Sequence, residues 1–170
     1  IWVVEAVNFF LGYGLVSWGI LPRSFGGLIG IPLAPMLHGS FWHTVSNTIP
    51  LLFLGALTLA KGKRMFWETT VSVTLLSGVL VWLFARESYH VGASGLVFGY
   101  FGAILARAAI ERSLISMAIG VITIMTYGAL IWGILPMQSQ VSFESHLFGL
   151  IAGIFVVWLD VKLSRSKPPS

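Results

Sequence analysis

Ser94 and His146 are the residues whose types and settings point to chemistry. Ser94 lies in Tyr89-His90-Val91-Gly92-Ala93-Ser94-Gly95-Leu96-Val97-Phe98-Gly99, a glycine-flanked serine that opens an apolar stretch. His146 lies in Ser145-His146-Leu147-Phe148-Gly149-Leu150-Ile151-Ala152-Gly153, at the matching start of another. A serine hydroxyl is a weak nucleophile until a base stands within hydrogen-bonding reach. A neutral histidine can take its proton and later return it to a leaving amine. The expected chemistry is hydrolysis by a Ser94–His146 dyad. Glu144 is two residues from His146 and on a helix points elsewhere, so no carboxylate is expected to complete a triad. The competing reading makes Ser94 a helix cap and the glycines packing residues only, but a histidine in a membrane helix is costly and marks function by default.

A second constellation is His38-Gly39-Ser40-Phe41-Trp42-His43-Thr44-Val45-Ser46-Asn47. His43 and Asn47, at i and i+4, share one helix face and both can donate hydrogen bonds. With the backbone N–H of Ser94 at a helix N-terminus, they are candidates for an oxyanion hole. Asn47 has a competing reading as a hydrogen-bonding link between helices. His38 is expected to bind loop backbone rather than to catalyse. Four histidines on one side also raise the option of zinc. No H-E-x-x-H occurs, and only Glu87 and Glu144 accompany the histidines. Neither a metal nor a cofactor is expected.

The elements that must position these groups are apolar. Of 170 residues, 56% are hydrophobic and 9% charged, against about 25% charged in a soluble domain. Mean hydropathy is +0.90. That balance excludes a soluble domain and indicates an integral membrane protein. There are no cysteines, so neither a disulfide framework nor a thiolate nucleophile is available. Ile1 is already apolar, so an upstream segment is expected.

Polar breaks divide the chain into six expected spans: Trp2–Ile20, Phe41–Ala60, Met65–Phe84, Ser94–Ala109, Leu114–Leu135 and His146–Val161. Lys61, Lys63, Arg64, Arg107, Arg112, Lys162, Arg165 and Lys167 then share one side, leaving Arg23 and Arg86 on the other. The positive-inside rule makes the basic side cytoplasmic, with both termini there. The expected architecture is one all-α domain over residues 1–163 and a disordered cytoplasmic tail over 164–170. All four histidines (His38, His43, His90 and His146) fall on the outer side.

Spans two, four and six run in one direction, so their starts, carrying His43, Ser94 and His146, meet at one depth. The fourth span covers only about 24 Å against about 30 Å of hydrocarbon. Ser94 is therefore expected below the membrane surface, approached by irregular backbone lining a wet pocket. Gly95, Gly99, Gly102 and Ala106 form one smooth face, and His146, Gly149 and Gly153 another. Facing each other, they would let the two helices approach closely and bring Ser94 to His146.

Taken together, Gly92-Ala93-Ser94-Gly95, His146-x-x-Gly149-x-x-x-Gly153 and His38-x4-His43-x3-Asn47 resemble the rhomboid intramembrane serine proteases, from about His38 to Val161. The resemblance implies a rhomboid-like six-helix core of the bacterial type. It implies Ser94 as nucleophile, His146 as base, and His43, Asn47 and the Ser94 amide as the oxyanion hole. Phe98 takes the place of an aromatic ring against the catalytic histidine, and His38, Gly92, Gly95, Gly149 and Gly153 are structural support. By this resemblance the protein is an intramembrane endopeptidase, without cofactor, that cuts transmembrane segments of other proteins near their outer ends. The alternative is an inactive rhomboid-like protein that binds membrane helices.

Expected partners are transmembrane substrate proteins and membrane lipids, with no nucleic acid; the oligomeric state is left open. The expected location is a bacterial inner (plasma) membrane, with the site toward the outer side. Three departures stand out. The first loop, Leu21–Leu37, lacks a Trp-Arg pair; Leu57, Thr58 and Leu59 replace an acidic residue near the inner end of the second span; and Ser145 stands where alanine is usual. Pro136–Glu144, the most polar outer loop, is the expected cover of the site, admitting a substrate between spans two and five.

Overall fold

A computed structural model describes residues 1–136 and 142–165. Its α-helices are α1 (Trp2–Phe10), α2 (Gly30–Leu33), α3 (Phe41–Ala60), α4 (Lys63–Phe84), α5 (Ser94–Glu111), α6 (Leu114–Tyr127) and α7 (Phe143–Arg165). Short 3-10 turns cover Gly14–Trp18, Phe25–Ile29 and Ala34–Met36, and another extends α6 over Gly128–Ile134. Among the described residues, five helical segments are long and apolar enough to cross a membrane: Phe41–Ala60, Lys63–Phe84, Ser94–Glu111, Leu114–Ile134 and Phe143–Leu163.

The first expected span is the one the structure does not form as a single helix. Instead of Trp2–Ile20, α1 stops at Phe10, and Gly12 and Tyr13 take φ values of 60° and 63°. A tyrosine in that left-handed region requires local compensation. Asn8, fully buried, provides it: its Oδ1 accepts from Leu15 N at 3.0 Å, and its backbone carbonyl accepts from Tyr13 N at 2.7 Å. Hydropathy reads straight through this turn because apolar residues dominate on both sides of it. At the other end, α7 continues through Ser164 and Arg165, where the expected tail begins. The rest of that tail, 166–170, lies outside the described residues.

α5 is the most buried helix, and α7 lies along it. A Cβ on Gly149 would run into the carbonyl of Gly95, and one on Gly153 into the carbonyl of Gly99. These two glycines let the backbones touch. The α5 glycines do not form the single contact face expected. A Cβ on Gly102 would meet Leu150 O of α7 at 2.6 Å, but one on Gly99 points into Val73 of α4. The reason is that α5 is enclosed by neighbours on several sides, so its small residues serve more than one contact.

The basic clusters gather at one end. Lys61 at the end of α3 pairs with Glu111 of α5 at 3.2 Å, and Arg107 pairs with Glu111 at 2.7 Å and with Asp160 of α7 at 2.8 Å. At the opposite end Arg23 closes α4: its Nη1 donates to Ala85 O at 2.7 Å, and Trp82 Nε1 donates to Ser24 O at 2.8 Å. An arginine on the last carbonyls of a helix satisfies acceptors the helix leaves open. The first loop is thus fastened to α4 without the Trp-Arg pair.

Candidate active site

The starts of α3, α5 and α7 meet around a cavity of about 770 Å³ at the end away from the basic clusters. Ser40, Trp42, His43, Ser46, Asn47 and Pro50 line it from α3 and its cap, Ser94, Val97 and Phe98 from α5, Ser142 and His146 from the beginning of α7, and Leu130 from the turn after α6. The N-terminal ends of all three helices lie at this space, a setting that favours negative charge. Ser40 caps α3, accepting from His43 N at 3.2 Å.

Ser94 is the first residue of α5. The loop that delivers it contains Gly92 at φ 117°, a backbone conformation L side chains rarely adopt. A Cβ there would also lie 2.7 Å from His43 Nε2 and 3.7 Å from Ser94 Oγ. The absent side chain is what allows the His43 ring to sit beside the serine.

His146, buried in the first turns of α7, stacks face to face on Phe98, with ring centroids 4.2 Å apart and planes 7° apart. Its Nδ1 lies 2.8 Å from Gly133 O. A carbonyl only accepts, so Nδ1 carries the hydrogen, and in the neutral ring Nε2 is the nitrogen with a lone pair to accept a proton. Gly133 must be glycine: a Cβ there would lie 2.9 Å from Phe98 Cζ and 3.1 Å from His146 Nδ1. Sequence reasoning did not find Gly133, because its contribution is a backbone carbonyl. The only trace is a glycine in Trp132-Gly133-Ile134.

Asn47 is buried, and its Nδ2 donates to the His43 carbonyl one turn back at 2.8 Å. One amide hydrogen is thereby engaged and the other is free to act toward the cavity. His38 lies outside the cavity lining. It is 1% exposed and its Nε2 accepts from Ala93 N at 3.4 Å, while its carbonyl accepts from Asn8 Nδ2 at 2.9 Å. Its ring meets His43 edge to face at 5.0 Å. Burial first, and then the nearby His43, hold the His38 imidazole at about 4. Burial also lowers His90, opposed by its bond to the Arg86 carbonyl and by nearby Glu144. Glu144 turns away from His146 and pairs with Arg86 Nε at 3.5 Å. Of the expected cover Pro136–Glu144, residues 137–141 lie outside the described residues.

The cavity therefore gathers Ser94, His146, His43 and Asn47, with Gly92 and Phe98 holding two of the rings and Gly95, Gly149 and Gly153 closing the α5–α7 crossing. Comparison with known proteins agrees with this reading of the fold. The Rhomboid domain profile matches residues 26–163. An uncharacterized protein of Mycobacterium tuberculosis is 35% identical over 169 residues, covering 94% of this chain and 70% of that protein. The Bacillus subtilis protein named "Putative rhomboid protease YdcA" is 30% identical over 136 residues, 78% of this chain and 67% of its own. "RHOMBOID-like protein 4" of Arabidopsis thaliana is 32% identical over 130 residues, 71% of this chain and 31% of its own. With its domain profile, helical membrane architecture and relatives in agreement, the chain belongs to the rhomboid family.

Proposed function

We propose that this protein is an intramembrane serine endopeptidase that cuts transmembrane segments of other membrane proteins by a Ser94–His146 dyad. The observation that carries the reading is the shared cavity in which His146 offers Nε2 while Gly133 O holds Nδ1. Ser94 Oγ attacks the scissile carbonyl carbon as His146 Nε2 takes the hydroxyl proton. The tetrahedral oxyanion accepts hydrogen bonds from the Ser94 amide, the free Asn47 amide hydrogen and His43. The intermediate collapses, the C–N bond breaks, and His146 returns the proton to the leaving amine. Water, deprotonated by the same nitrogen, then hydrolyses the acyl ester and restores Ser94. No cofactor enters these steps.

The substrate helix enters between α3 and α6, where Trp42, Ser46, Pro50 and Leu130 line the cavity. The protein lies in a bacterial plasma membrane with its basic end cytoplasmic and its cavity toward the outer side, as the positive-inside rule assigns. A fluorophosphonate probe tests the chemistry. It is expected to label Ser94, identified by peptide mapping, and to fail on the folded His146→Ala variant. A folded wild-type protein that neither reacts with the probe nor cuts a model transmembrane substrate would overturn the reading in favour of a helix-binding protein. In this cysteine-free chain, Ser94→Cys should react with membrane-impermeant thiol reagents from the outer side. Labelling only from the cytoplasmic side would overturn the orientation.

A further inference from the structure

His90 is fully buried four residues before Ser94 and takes no part in the chemistry above. Its backbone is fixed by paired bonds with Ile20, N to O at 2.9 Å and O to N at 3.0 Å. Its Nε2 lies 3.0 Å from Arg86 O and its Nδ1 2.6 Å from Ser142 Oγ. The carbonyl can only accept, so Nε2 carries the hydrogen and Nδ1 accepts from the Ser142 hydroxyl. Ser142 Oγ in turn accepts from Ser145 N at 3.2 Å and lies 2.7 Å from Ser145 Oγ, and Ser142 O accepts from His146 N at 3.4 Å. Ser142 is therefore the N-cap of α7, and the residue that caps the helix carrying the base is held by the loop carrying the nucleophile.

A second tie runs parallel. Glu144 Oε1 accepts from Arg86 N at 3.4 Å and pairs with Arg86 Nε at 3.5 Å, and the Arg86 guanidinium lies 5.7 Å from the centre of the Phe143 ring. Arg86 and Glu144 are thus the charged groups that face His90 from its own loop and from α7. The Ser145 backbone packs against α5 at the same level: a Cβ on Gly95 would lie 3.3 Å from Ser145 O. Loop 85–93, the head of α5 and the head of α7 form one joined unit.

We propose that His90 is a positioning residue: through Ser142 it fixes the first turn of α7, and with it the His146 ring, relative to Ser94. The proposal rests on the dyad reading above. Misplacing a reacting group by about 1 Å can cost on the order of 10²-fold in rate, and the His90–Ser142 bond, at 2.6 Å, is a short side-chain link across this joint. It also accounts for Ser145, whose hydroxyl completes the chain of hydrogen bonds from α7 to His90.

The test is steady-state cleavage of a model transmembrane substrate by His90→Leu, His90→Asn and Ser142→Ala, alone and combined, with folding checked by thermal unfolding in detergent. His90→Leu and Ser142→Ala should each lower kcat about tenfold, within the range expected of misplacement, while KM stays within about twofold. The His90→Leu/Ser142→Ala double variant should be no slower than the worse single, since both remove one link. His90→Asn, whose side-chain oxygen can replace Nδ1 as the acceptor for Ser142, should recover most of the lost kcat. Unchanged kcat in folded His90→Leu, additive losses in the double variant, or no recovery in His90→Asn would overturn the proposal. If His90→Leu does not fold, the kcat of Ser142→Ala and the recovery in His90→Asn decide it. Ser94→Ala run alongside separates the two readings, because cleavage by that variant would refute the dyad itself.

Discussion

The two ends of the α5–α7 pair are held by opposite means. At the basic end the pair is joined by charge, Arg107 of α5 to Asp160 of α7; Arg107 also pairs within α5 with Glu111, which ties to Lys61 at the end of α3, and Lys61 Nζ donates to Ser116 Oγ of α6 at 2.7 Å. At the cavity end the candidate catalytic groups are held by neutral contacts: Gly133 O on His146, the Phe98 ring against it, and the His43 carbonyl on Asn47. The charged pair Arg86–Glu144 stands behind this end rather than in it. The difference follows from what each end must do. An end that only joins helices can carry fixed ion pairs, since these groups keep partial contact with solvent. In the proposed mechanism the cavity end cycles a proton through His146, and that requires a ring that is oriented yet not permanently charged. A backbone carbonyl orients an imidazole without a carboxylate's pull on its proton.

The largest expected effect breaks the neutral end. Ser94→Ala and His146→Ala should each lower cleavage by about 10⁴-fold or more, with the double variant no worse than either single, because the pair acts as a unit. Initial rates on a model transmembrane substrate measure it. Independent, multiplying losses would mean the two residues do not share one step.

Next comes the crossing that joins the two ends. Gly153→Val drives a side chain into the Gly99 carbonyl, and backbone has nowhere to move. This variant is expected to lose several kcal/mol or fail to fold. Gly99→Ala meets only the Val73 side chain and should lose about 1–3 kcal/mol. Thermal unfolding in detergent ranks them, and the reverse order would show that α4, rather than α7, sets the position of α5.

A narrower cut at the cavity end is Asn47→Ala. Removing one oxyanion donor typically costs about 10²–10³ in rate, here with KM little changed. Normal turnover would assign Asn47 to linking helix turns alone.

The charged end should respond in stability and not in chemistry. Asp160→Asn weakens a pair whose arginine is mostly buried and whose aspartate is 40% exposed. A loss of about 1–2 kcal/mol is expected, between surface and buried ion pairs, with unchanged kcat. A fall in kcat at full folding would mean that the two ends are coupled through α5 and α7.

The smallest effect is a pH slope. Folded His38 is held at about 4, whereas an unfolded histidine titrates near about 6.5. Its contribution to stability is complete above that unfolded value and is lost as pH falls from about 6.5 toward 4, where the unfolded chain binds the proton first. Between pH 7 and pH 6 the loss should stay under about 1 kcal/mol, seen as a small fall in Tm that His38→Gln flattens. A Tm that rises over that interval would contradict the burial of the neutral ring.

Composition and spacing were enough to identify a helical membrane protein, its five membrane-length segments among the described residues to within about one helical turn, and the residues Ser94, His146, His43 and Asn47 that line the cavity. Apolar runs and small-residue faces are local properties, and a chain in hydrocarbon has few other ways to satisfy its backbone. The turn after α1 was hidden because hydropathy cannot register a left-handed backbone among apolar residues. The division of the α5 glycines between α4 and α7 was hidden because periodicity marks a face without naming its neighbour. Gly133 was hidden because its contribution is a carbonyl that every residue carries, and the His90–Ser142 link because it joins residues fifty-two positions apart. In each case the tertiary structure decided the outcome, since the interaction depends on which backbones and rings meet, and that is set by packing between helices rather than by any stretch of sequence.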